Sequence, residues 1–243
     1  MSPLKLSQKG KLVYSEEILG RFYVFKDRLQ AGALLGEACR QIVKEVDYVL
    51  AVPMGGVPVG LMVSKFLKAK FDIIICRKLL IPWNREAGFG AVSPDGSYFI
   101  DQAFVKSLGL SEYEIMETIK EQMEEIRKRN EMLRQGRDYP SFNNLKIVLI
   151  DDGVAAGYTM KAAVDFVKSR GAKETIIAVP TGCLESLLKL SDHVDLIVCL
   201  NIRSGPWFAV ADAYQEWKDL DYEYVVKLMK EYERECSLNV KNL

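Results

Sequence analysis

Histidine is almost missing from this chain: His193 is the sole example in 243 residues. Without a second imidazole, serine-hydrolase triads of the usual kind are hard to assemble, and His193, inside Ser191-Asp192-His193-Val194-Asp195, reads as an exposed residue of a helix-to-strand turn. The cysteines (Cys39, Cys76, Cys183, Cys199 and Cys236) are odd in number, scattered and without a Cys-x-x-Cys pair. That excludes a disulfide frame and a zinc site and fits reduced thiols. Net charge is absent too, with Lys+Arg and Asp+Glu both at 33, so nothing marks a nucleic-acid surface. No apolar run approaches ~18 residues, and Met1-Ser2-Pro3-Leu4-Lys5 leads into polar residues rather than a signal peptide. A soluble, cytoplasmic protein without membrane partners is expected. What is present, 49% hydrophobic and 27% charged residues, suits one α/β domain with an elaboration, or a core with a small cap.

The most informative stretch is Ile147-Val148-Leu149-Ile150-Asp151-Asp152-Gly153-Val154-Ala155-Ala156-Gly157-Tyr158-Thr159-Met160. Four apolar residues predict a buried strand, two acids close it, and a glycine-bearing turn opens a helix from about Met160 to Ser169. At such a strand-loop-helix junction the loop N–H groups, the free N–H groups of the helix and the Thr159 hydroxyl form a cradle for a phosphate dianion. The two carboxylates repel a phosphate and suit hydroxyl groups or magnesium. A ligand with a phosphate beside a diol, such as a ribose 5-phosphate, fits both. Acids after an apolar strand also open phosphoacceptor receiver domains, but there they lie near the domain's beginning, and here 150 residues precede Asp151. A strand that merely ends in solvated acids is the plain structural alternative.

Elsewhere the pattern alternates. Residues 1 to about 12 read as a tail or weak edge strand, and Phe22 to Phe25 as a short strand. Asp27 is placed to cap a helix through Leu34, Leu35, Ala38, Ile42 and Val43. Tyr48 to Val52 predicts a strand, then Gly55-Gly56 a sharp turn with exposed N–H groups, and Val57 to Lys68 a helix. Phe71 to Cys76 predicts a third buried strand delivering Arg77 and Lys78 at its carboxyl end, where ligands collect in open α/β sheets. Phe89 to Val92 and Tyr98 to Ile100 can pair around Asp95-Gly96. Ser111 with Glu114 forms a capping box for a long surface helix to about Arg137, whose Arg134 and Arg137 could reach a phosphate. Thr175 to Val179, a helix over Leu184 to Leu190, Val194 to Leu200 and a last helix over Tyr222 to Glu235 complete a doubly wound, mainly parallel α/β sheet.

The central stretch resembles the fingerprint of type I phosphoribosyltransferases, which bind 5-phosphoribosyl 1-pyrophosphate (PRPP). The likeness continues at Phe25-Lys26-Asp27-Arg28 through Gly32, at Gly55-Gly56, and from Arg77-Lys78-Leu79 through Gly90-Ala91-Val92, which points to a poorly characterised branch of that family. The resemblance implies Asp151 and Asp152 for the ribose hydroxyls, and Ala155, Ala156, Gly157, Tyr158 and Thr159 for the 5-phosphate. It implies Gly55 and Gly56 for a pyrophosphate loop, often with a non-proline cis peptide, and Arg77 and Lys78 for the leaving group. Trp207 or Phe208 would stack on the acceptor base, and Asp151, Asp152 and Asp212 would hold magnesium. It further implies PRPP and a small-molecule acceptor as partners and a homo-oligomer, a dimer. A single domain, 1–243, would carry an inserted hood and long helix at 77–137 and a closing hood and helix at 201–243. The implied activity is phosphoribosyl transfer to a nitrogen acceptor. A regulatory protein that binds PRPP or a nucleotide without turnover is the alternative. Three departures stand out: Met54 where the branch usually has arginine, Gly153 where an apolar residue is usual, and Ala156 where threonine is common.

Overall fold

The computed structural model describes residues 4–205 and 207–241. Its main sheet has seven strands: β1 (Leu6–Lys9), β2 (Leu12–Ser15), β3 (Tyr48–Ala51), β4 (Lys70–Ile73), β8 (Lys146–Ile150), β9 (Glu174–Cys183) and β10 (Leu196–Arg203), in the order β1-β2-β10-β9-β8-β3-β4. Every neighbouring pair is parallel except the β1–β2 hairpin. The inner strands β3, β8, β9 and β10 are largely apolar because both faces are covered, unlike the edge strands β1 and β4. Val148, Ile150, Ile176, Ala178, Val198 and Leu200 face one core, while Ile147, Leu149, Ile177, Val179, Ile197 and Cys199 face the other. This is the period-two alternation of a pleated strand.

Helices α1 (Arg28–Ile42), α2 (Gly56–Leu67), α4 (Glu112–Arg134) and α7 (Tyr222–Lys241) serve the first core, and α5 (Tyr158–Ser169) and α6 (Leu184–Ser191) serve the second. The sheet is therefore doubly wound. Local chemistry starts the helices as expected: the Asp27 carboxylate accepts from the Gln30 N–H, and Ser111 and Glu114 form a reciprocal capping box. Gly36 and Gly32 let α1 lie against α2, since a Cβ on Gly32 would come 2.8 Å from the Val59 Cα.

A second, three-stranded antiparallel sheet comprises β5 (Arg77–Ile81), β6 (Asn84–Val92) and β7 (Tyr98–Ile100), followed by α3 (Gln102–Leu108). The predicted hairpin is present, with Val92 opposite Tyr98. Two expectations change. The run Phe71 to Cys76 is not one strand: the chain leaves the main sheet after Ile73, and Arg77 opens a strand of the small sheet. Phe22 to Phe25 is not a strand, because Tyr23 takes a left-handed backbone (φ 54°) and only Phe25 bridges to Tyr214. Among the described residues no helix is long and apolar enough to cross a membrane.

Candidate active site

The sheet delivers Asp151 and Asp152 at the carboxyl end of β8, flanked by β3 and β9. The Asp152 N–H donates to Asp151 Oδ1 at 2.8 Å. Burial pushes the Asp151 carboxyl well above the ordinary carboxylate range, and the neighbouring Asp152 charge pushes the same way. Burial also raises Asp152, opposed by the guanidinium of Arg28. That arginine is the first residue of α1. Its Nε donates to Asp152 Oδ2 at 2.8 Å and its Nη1 to the Lys218 carbonyl at 2.9 Å, while the Trp217 ring covers it at 3.8 Å. The Tyr214 hydroxyl donates to the Asp152 carbonyl at 2.6 Å. The acid pair is thus asymmetric, with Asp152 anchored and Asp151 lining an adjacent cavity.

Gly55 and Gly56 pack directly on this pair. A Cβ on Gly55 would fall 1.9 Å from Asp152 Oδ2, and one on Gly56 would fall 3.0 Å from the Asp151 Cα. The Pro53–Met54 peptide is cis. The turn is less open than its glycines suggest, because Gly56 N donates to the Val52 carbonyl at 3.1 Å and Val57 N to the Met54 carbonyl at 3.2 Å.

The loop after the acids has the opposite character. Among the described residues, no N–H from 155 to 160 donates to a backbone carbonyl. Gly157, at φ +82°, takes the left-handed conformation that sets the loop against α5. Loop and acid meet in a cavity of about 200 Å³ lined by residues 153–160 together with Lys78, Asp151 and Val210. Gly153 is explained by Val210: a Cβ at 153 would sit 2.5 Å from the Val210 Cγ1. An apolar group fills that space from elsewhere in the chain.

The other predicted positions are spread out. Lys78 reaches the cavity and donates from Nζ to the Glu86 carbonyl at 3.3 Å. Arg77 turns toward α4, where its Nε donates to Gln122 Oε1 at 3.2 Å. Asp212 lies 3.6 Å from the Arg203 guanidinium, and the Phe208 ring stacks on that guanidinium at 4.5 Å. Trp207 is 90% exposed, on the rim of a separate cavity of about 680 Å³ beside Phe22, Leu188 and Arg203. Its neighbour Pro206 lies outside the described residues. Arg134 is buried and grips the Asp72 carboxylate through Nε and Nη2 at 2.9 and 2.8 Å, so it braces α4 against β4. The sequence motifs assign no site role to Arg28, Tyr214 or Trp217. The Asp27-Arg28 pair at a helix start was the available signal.

Residues 106–217 match the family model described as a phosphoribosyl transferase domain. Proteins of two Mycobacterium tuberculosis strains, each named "putative phosphoribosyl transferase", are 32% identical over 212 residues, which cover 87% of this chain and 48% of theirs. The crystal structure of TT1426 from Thermus thermophilus superposes with a TM-score of 0.70 at 30% identity, covering 86% of this chain and 98% of that one. The chain belongs to the phosphoribosyl transferase family. It spans about half the length of the curated relatives it matches. Its doubly wound, mostly parallel sheet is the type I phosphoribosyltransferase fold. Within that family fold, the acid pair ends the strand and the unbonded loop opens the helix, the order the sequence motif implies.

Proposed function

We propose that this chain transfers the phosphoribosyl group of PRPP to a nitrogen acceptor, a nucleobase, with release of pyrophosphate. One observation supports this above all: Asp151, the free member of the acid pair, and a loop of unbonded N–H groups line one cavity. The loop N–H groups and the N-terminus of α5 take the 5-phosphate dianion. Asp151 accepts from a ribose hydroxyl, and Lys78 supplies positive charge beside it. The C1–O bond to pyrophosphate breaks as the acceptor nitrogen forms a bond to C1 from the opposite face. Positioning and charge stabilisation, rather than a covalent enzyme intermediate, lower the barrier.

Magnesium fits the donors present. Among the described residues no three acidic, His or Cys groups cluster as a cage, and a magnesium ion with one carboxylate, substrate oxygens and water needs none. Asp151 would hold it, and its charge would spread that of the departing pyrophosphate. The small sheet at 77–100 with α4, and the segment from 201 onward, would act as a hood that keeps water from the oxocarbenium-like state.

A second reading, a PRPP-binding regulator without turnover, is favoured by the occupied N–H groups of Gly56 and Val57 and by Met54 in the same turn. Calorimetric titration of PRPP with and without magnesium, on wild type and Asp151→Asn, tests the binding common to both readings. Magnesium-dependent binding, lost in the variant, is expected; pyrophosphate release in an acceptor screen then separates enzyme from regulator. A wild type that binds no PRPP would refute both.

A further inference from the structure

The Gly55-Gly56 turn has no cation of its own. Residues 48–64 contain neither lysine nor arginine. Two of its N–H groups are already spent within the turn. With those N–H groups spent, any protein cation that serves this turn comes from elsewhere in the chain. The structure offers one at that place. Arg28 Nε lies 3.2 Å from the position a Cβ would take on Gly55. The same side chain lines a cavity of about 210 Å³ whose wall includes Pro58, in the first turn of α2 directly beyond the two glycines.

The guanidinium is also prepared for a second partner. Nε is committed to Asp152 and Nη1 to the Lys218 carbonyl, and the Trp217 ring fixes its plane. Among the described residues Nη2 donates to no protein acceptor. Asp27, Glu216 and Lys218 also border this cavity; Asp27 is engaged as the α1 cap, and the Lys218 ammonium lies over the Tyr224 ring. Planar guanidinium groups bind phosphate oxygens through their paired N–H edges.

We propose that Arg28 is the cation of the pyrophosphate subsite, serving the Gly55-Gly56 turn from the start of α1, with Asp152 as its counter-ion when no ligand is bound. This rests on the PRPP reading of the site. It assigns the two acids different duties: Asp151 meets the ribose, and Asp152 holds the arginine that meets the diphosphate.

The test compares two probes on three proteins, wild type, Arg28→Met and Arg28→Lys. Magnesium pyrophosphate and ribose 5-phosphate are titrated separately by calorimetry, with thermal melting as the check on folding. Loss of a charge-assisted contact predicts pyrophosphate binding roughly 10- to 100-fold weaker in Arg28→Met, partial recovery in Arg28→Lys, and ribose 5-phosphate affinity changed less than about twofold. Equal loss of both probes would show that Arg28 acts only by holding Asp152 or the fold, and would overturn the proposal, as would pyrophosphate affinity that does not change. If wild type binds ribose 5-phosphate but no pyrophosphate, the subsite is wrong while the ribose site stands. If it binds neither, the PRPP reading itself fails, and the proposal with it.

Discussion

Replacing Gly55 by alanine adds one methyl group at the most crowded point of the site. The backbone there is right-handed helical (φ −63°, ψ −33°), which alanine adopts without strain, so any loss is steric. The new Cβ would stand 1.9 Å from Asp152 Oδ2 and 2.5 Å from its Cγ, and a tolerable contact needs the carboxylate to retreat by more than an ångström. That retreat breaks the 2.8 Å bond to Arg28 Nε, between side chains only 14% and 9% exposed. Separating a buried pair of this kind costs about 3–5 kcal/mol. At this chain length each kcal/mol lowers Tm by about 2–4 °C, so a fall of at least about 6 °C is expected. Differential scanning calorimetry of the variant beside wild type reads it. If Gly55→Ala melts within about 2 °C of wild type, the carboxylate is free to move and the description of Asp152 as anchored is wrong.

Two further outcomes follow from the same geometry. Because the folded state raises the Asp151 carboxyl, that group favours folding while protonated, below its unfolded value, and the contribution is lost as pH rises through the folded value. Asp151→Asn should therefore match wild type in Tm near pH 4 and exceed it increasingly toward pH 8, measured across a buffer series; a constant or reversed difference would refute the burial argument. Asp72→Asn strands the buried Arg134 guanidinium and should cost about 3–5 kcal/mol in urea unfolding while leaving ribose 5-phosphate affinity unchanged. An effect on affinity would instead return Arg134 to the site.

Much of this architecture is legible in the chain itself, for identifiable reasons. β3, β8, β9 and β10 are apolar runs bounded by turn residues, and α1 and α4 carry caps whose side chains act within three residues of one another. The acids and the loop that follows are contiguous, so a single stretch displays them. What escapes is non-local or degenerate. Ile73, Ile74, Ile75 and Cys76 are all buried, so their pattern gives no hint that the chain leaves the main sheet after the first of them. Arg77 consequently faces Gln122 instead of following a strand end. The Arg28–Asp152 pair joins residues 124 positions apart, and neither residue type reveals the partner. Gly153 reads as a departure until Val210 is seen to occupy the volume an apolar side chain would need.

The roof of the acid pair arrives late in the chain. Tyr214 and Trp217 cover Asp152 and Arg28, and the strip that carries them is stitched to residues 23–26 through bonds from Tyr23 N to the Asp212 carbonyl, Phe25 N to the Ala213 carbonyl and Gln215 N to the Phe25 carbonyl. The beginning of the polypeptide and its last quarter are therefore sewn together over the acids. During synthesis at about 5–20 residues per second, roughly 65 further residues separate Asp152 from Trp217, an interval of about 3–13 s. Through that interval the nascent chain carries two adjacent carboxylates with their guanidinium partner but no cover. Such a chain holds the motif before it holds the cover, because Tyr214 and Trp217 are among the last residues of the site to be made.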